Sequence, residues 1–120
     1  MRGNVILVAV IGGILLAGCT GRSVEENTAW RSIVAEDYSS ARDQYASILA
    51  GDPKDPYANL NIGVAYEELG DLAMAAKHYQ LAIDHGAEAQ IVQVAQDGKT
   101  ADRKTTVRNV ATENLARVNG

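Results

Sequence analysis

The residues of this chain best suited to chemistry are His78, His85, Cys19, the Ser39–Ser40 pair and the Glu67–Glu68 pair. Paired histidines suggest a metal site, because a neutral imidazole nitrogen is a common ligand. His78 and His85 are seven apart within one run of helix formers. That spacing puts them near one face but two turns apart, too far to clamp one ion without further ligands. Asp84 and Glu88 lie nearby, but acidic residues near a helix end are common. A serine nucleophile needs a base held by a third group, and no histidine with an acidic orienter stands near Ser39 or Ser40. Carboxylates doing acid–base work need a pocket that gives them opposed environments. Glu67 and Glu68 read instead as a surface pair on a helix. The "GDPKDP" stretch lacks the Gly-Lys-Ser/Thr of a phosphate loop. The expectation is no catalytic residue, no metal, no cofactor and no enzyme.

Charge narrows the partners. The chain has 120 residues, 11 basic and 15 acidic, for a formal −4. Nucleic-acid binding calls for clustered Lys and Arg. Here the basic residues are scattered, and Lys99, Arg103, Lys104, Arg108 and Arg117 make only a small excess near the end. That excess reads as a solvated face, and no nucleic-acid partner is expected.

Cys19 is the only cysteine. A lone cysteine in an exported chain has no disulfide partner. Ahead of it, Arg2 is followed by apolar residues or Gly from Val5 to Ala17. A charged start, a short apolar core and a small-residue end make a secretory signal. The run is short for a membrane span. Leu16-Ala17-Gly18-Cys19 resembles the lipobox of bacterial lipoproteins at all four positions. The resemblance implies that residues 1–18 are a signal peptide and that Cys19 is lipidated, a palmitate-type anchor. Two or more acyl chains hold a protein stably on a membrane, whereas one does not. In that family Asp after the cysteine favours inner-membrane retention, so Thr20 leans toward the outer membrane, inner leaflet, facing the periplasm. Residues 19–28, small and polar, read as a tether.

The remaining pattern is helical. Trp30, Ile33 and Val34 share one face, as do Tyr38, Ala41, Tyr45, Ile48 and Leu49. Asp37 is placed to cap the second of these helices, and Gly51 and Pro53 end it. Asp55 caps a helix that opens on Pro56. Gly70 supplies a left-handed turn, and Asp71 caps the next helix, to about His85. Ile62, Tyr66, Leu72, Tyr79 and Ile83 are expected to fill the space between these two antiparallel helices, with Gly63 allowing close approach. Val107, Val110, Ala111, Asn114, Leu115 and Val118 share the face of a last helix, about 106–118, capped by Thr105 or Thr106. Between them, Gln90–Val94 is β-prone and Asp97-Gly98 favours a tight turn. A small β-hairpin near residues 91–104 and a loop both remain open.

Tyr45 and Tyr79 are 34 apart, as are Ala41 and Ala75, Asp37 and Asp71, and Leu49 and Ile83. A period of 34 with two helices per unit, carrying Ile62-Gly63, Tyr66, Ala75, Tyr79 and Ala82, resembles the tetratricopeptide repeat. The clearest unit is 56–89, with Asn59 and Ala87 departing from the pattern. A partial unit is 22–55, whose opening half is degenerate. The fold expected is all-α: antiparallel hairpins of a short solenoid over residues 29–120, closed by a C-terminal capping helix. Such repeats cannot bury their faces alone, which is why a cap is needed.

In that family the first helix of each unit lines a concave surface that holds partner peptides. Carried onto this chain, the resemblance implies a groove of Trp30, Tyr57, Leu60, Val64, Glu67 and Glu68. The N-terminal segment or the C-terminal cap could equally fill it. The function expected is a membrane-anchored protein–protein interaction adaptor in an envelope assembly of pilus, secretion or outer-membrane biogenesis type. The alternative is a structural lipoprotein that self-associates without a dedicated client.

Overall fold

The structure is a computed structural model that describes residues 6–9, 24–95 and 103–120. Among these residues are three strands and five helices: β1 (Ile6–Ala9), α1 (Val24–Val34), α2 (Tyr38–Gly51), α3 (Pro56–Glu68), α4 (Leu72–His85), β2 (Gln90–Ala95), β3 (Arg103–Thr106) and α5 (Val107–Asn119). The all-α expectation with one small hairpin holds. The helices form two antiparallel pairs, α1 with α2 and α3 with α4, and α5 packs on α4 as a cap.

Local chemistry sets the boundaries. Free N–H groups at a helix start need acceptors. The Asp37 carboxylate accepts from the Ser40 N–H at 3.3 Å and Asp71 from the Met74 N–H at 3.2 Å. Asp55 accepts from Tyr57 and Ala58, and Pro56 occupies the first turn, where its missing N–H costs nothing. Thr106, one of the two expected caps, accepts from the Asn109 N–H at 3.2 Å. The first two N–H groups of α5 reach back across the chain, Val107 to the Ala89 carbonyl and Arg108 to the Gly86 carbonyl. This ties the cap to the end of α4.

α3 is the centre of the fold. Every residue from Ala58 to Ala65 is buried, on all sides of the helix. A helix buried all round must be surrounded, and α3 packs against α1, α2, α4, α5 and β1. Full burial of Leu60 or Ile62 contributes about 1.5–3 kcal/mol each. Asn59 and Asn61 are buried with them, and each donates from its amide nitrogen, while Asn61 Oδ1 has no hydrogen-bond partner among the described residues. Asn59 Nδ2 donates to the Pro53 and Asp55 carbonyls, and Asn61 Nδ2 donates to the Tyr45 hydroxyl at 3.0 Å. Gly63 is the point of closest approach to α4. A Cβ there would stand 2.5 Å from Tyr79 Cε1, so only glycine lets the ring come this close to the α3 backbone.

The expected faces need correction at several points. Tyr79, Ile62, Ala41 and Tyr45 are core, but Leu72 is 47% exposed and does not fill the α3–α4 space. It stands one residue after the Asp71 cap, where the turn swings it outward. On α1 the buried residues are Ala29 and Ile33, four apart, whereas Val34 is 54% exposed. Residues 24–28 belong to α1 rather than to a polar tether, so the helical domain begins at Val24. The hairpin spans β2 and β3, paired antiparallel from Gln90↔Thr106 to Gln93↔Arg103. The Asp97-Gly98 turn lies outside the described residues, as does the Leu16–Cys19 pattern. An unexpected third strand comes from within residues 1–18. β1 pairs antiparallel with the other edge of β2, from Ile6↔Ala95 to Ala9↔Val92, giving sheet order β1-β2-β3.

Candidate partner-binding groove

The six residues assigned to a groove fall on α1 and α3, and two of the six are core rather than surface. Leu60 and Val64 are buried, and β1 runs beside both α1 and α3. Trp30 is half-buried and packs on the core from α1. Tyr57 is half-buried at the start of α3. Its hydroxyl donates to the Gln90 carbonyl at 3.4 Å, which places it against the hairpin. Glu68 is half-buried at the last turn of α3.

Glu67 is the most engaged of the six. Arg117 of α5 donates to it through both Nε, at 2.8 Å to Oε2, and Nη2, at 2.7 Å to Oε1. The Tyr79 hydroxyl donates to Oε1 at 2.7 Å. This is the fork-to-fork geometry that a planar guanidinium favours. Burial pushes the Tyr79 phenol well above its ordinary range, and the adjacent Glu67 charge adds to the effect. The hydrogen bond to Glu67 raises Arg117 in turn, so the guanidinium stays charged. Glu67 thus fastens the cap to the central helix and is not a free anchor for a ligand. β1 runs beside the two helices that carry these residues, and the C-terminal cap reaches one of them, Glu67.

The histidines are separated by role as well as distance. His78 stacks on Tyr66, with ring centroids 5.6 Å apart and an interplanar angle of 11°. Its Nδ1 lies 2.8 Å from Asn59 Oδ1. The Asn59 amide is oriented by the two carbonyls that accept from its Nδ2, so Oδ1 faces His78 and Nδ1 must carry the proton. Burial lowers the His78 pKa below 6.5, and the neighbouring Lys77 charge adds to this. His85 is exposed at the last turn of α4. No group of three or more His, Cys, Asp or Glu among the described residues is placed to hold a metal ion. Nor is any helix among them long and apolar enough to cross a membrane.

Sequence reasoning missed Arg117 and β1. Arg117 read as one of several solvated basic residues, and nothing local marks its partner 50 residues away. No family model matches the chain, and no curated protein matches it.

Proposed function

We propose that the chain is a lipid-anchored adaptor, whose tetratricopeptide-like hairpins hold protein components of an envelope assembly at the periplasmic face of a membrane. The observation that carries the reading is a lipobox-like Leu16-Ala17-Gly18-Cys19 ahead of two stacked helical hairpins with aspartate caps 34 residues apart. Stacked hairpins present extended surface for recognition rather than a reaction centre. An acyl anchor on Cys19 would confine that surface to a membrane, so that a modest affinity is raised by effective concentration. Pilus, secretion and outer-membrane biogenesis machines all have places for such an adaptor.

Mass spectrometry of the native N-terminus tests the anchor. The expected species begins at acylated Cys19, and a chain beginning at Met1 overturns it. Crosslinking in intact envelopes followed by pull-down tests the adaptor role. Recovery of an envelope protein is expected, and recovery of this chain alone counts against it.

Self-association is the second reading. Val34, Leu69 and Leu72 are exposed at the turns within the two helix pairs, α1 to α2 and α3 to α4. Such apolar exposure suits contact between copies. A protein that stays monomeric at high concentration removes this reading.

A further inference from the structure

We infer that the slot held by β1 is the docking site for an extended, uncharged strand of a partner protein, open once residues 1–18 have been removed. The inference rests on the lipoprotein reading above and names the partner chemistry it left unspecified. β1 pairs with the β2 edge over four residues and runs beside α1 and α3, the helices that carry the groove residues. β3 occupies the opposite edge of β2. Cleavage before Cys19 would therefore unpair one edge of β2 and uncover the flank of α1 and α3 in one step.

That edge is built to be covered. An unpaired strand edge recruits other strands, and proteins guard such edges with Lys, Pro or inward charges. Gln90–Ala95, Gln-Ile-Val-Gln-Val-Ala, has none of these. The occupant seen there, Ile-Leu-Val-Ala, is likewise uncharged. Strand addition draws affinity from main-chain hydrogen bonds and selectivity from the side chains that alternate between the two faces. The partner segment is accordingly a short antiparallel strand of about four apolar or uncharged residues, matching the paired length of β1.

The test compares two forms of the whole protein. One is the processed lipoprotein purified from membranes in detergent. The other is the unprocessed Cys19→Ala chain. The probe is a labelled peptide of residues 3–12 with lysines added at its ends for solubility. The processed form is expected to bind it, with slowed amide exchange at residues 92–95. The unprocessed form is expected to bind about ten-fold more weakly or less, with those amides already slow. The inference is overturned if the processed form binds no more tightly than it binds the same peptide with lysine at alternate core positions. Unchanged exchange at 92–95 overturns it too. A native N-terminus at Met1 is a different failure: it removes the lipoprotein reading and makes β1 a permanent strand of the fold.

Discussion

Glu36 and Gly70 occupy the same turn 34 residues apart. Both have positive φ, 61° and 89°, and each precedes the aspartate that caps the next helix. The hydrogen bonds match as well. Asp37 N–H reaches the Ser32 carbonyl and Glu36 N–H the Ile33 carbonyl; Asp71 reaches Tyr66 and Gly70 reaches Glu67. This pair of bonds satisfies the last carbonyls of a helix and requires a left-handed residue. Gly70 adopts that conformation freely, but Glu36 places its Cβ against the backbone. Glu36→Gly is expected to stabilise the protein by about 0.5–1 kcal/mol, the strain relief being partly offset by a more flexible unfolded chain. Gly70→Ala is expected to cost about 1 kcal/mol. Urea midpoints shifting in opposite directions check both, and a loss of stability in Glu36→Gly refutes the equivalence.

Close approach of α3 and α4 at Gly63 sets the second expectation. An added Cβ would meet three ring atoms of Tyr79, which is fully buried and has no room to retreat. Gly63→Ala should destabilise by about 1–3 kcal/mol despite alanine's better helix propensity. Tyr79→Phe should not rescue it, because the clashing atoms remain. Tyr79→Leu should make the added methyl cheaper, a non-additivity that a double-mutant cycle measures. Gly51→Ala is the control, since nothing lies within 4 Å of a Cβ there.

Much of this fold is written locally. Asp37, Asp55, Asp71 and Thr106 act on N–H groups two or three residues away, so caps and turns are legible from adjacent letters. The 34-residue offset is legible too: Tyr45 and Tyr79 are both buried, as are Ala41 and Ala75. What could not be read depends on distant partners. Leu60 and Val64 look like groove residues until neighbours on every side of α3 bury them. Leu72 has an apolar side chain in a helical register, yet its place beside the turn leaves it in solvent. β1 is an apolar run that reads as an address, and its pairing with β2 crosses most of the chain. No periodicity signals that contact, because strand pairing is decided by what else is left unpaired.

The bond between α5 and α3 through Glu67 is a third test. Arg117 keeps 38% of its side chain exposed and Glu67 15%, so the pair is partly screened by solvent. A cycle of Glu67→Gln and Arg117→Met should give a coupling of about 1 kcal/mol, smaller in high salt. Tyr79→Phe should cost about 1 kcal/mol for its lost hydroxyl bond and leave the Arg117 contact in place. Coupling near zero would mean that α5 is held by its apolar face and its bonds to the end of α4, without help from this pair.

His78 gives the fold a pH dependence of definite sign. Its folded pKa lies below the ordinary 6.5, chiefly because the ring is partly buried and secondarily because of Lys77. The unfolded chain therefore takes up the proton first as pH falls. Stability from neutral His78 is complete above the unfolded value and drains away as pH drops through the folded one. Protonation does not break the contact with Asn59, since Nδ1 already donates there; the cost is that of charging a shielded ring beside a lysine. A ring titration followed by NMR should give a midpoint below 6.5. Lys77→Gln should move that midpoint upward, but only part of the way, because burial is the larger cause. His78→Gln should flatten the fall in melting temperature between about pH 7 and pH 5, leaving the share due to carboxylates. A midpoint at or above the ordinary value in the folded protein would show that the ring is better solvated than its stacking on Tyr66 implies.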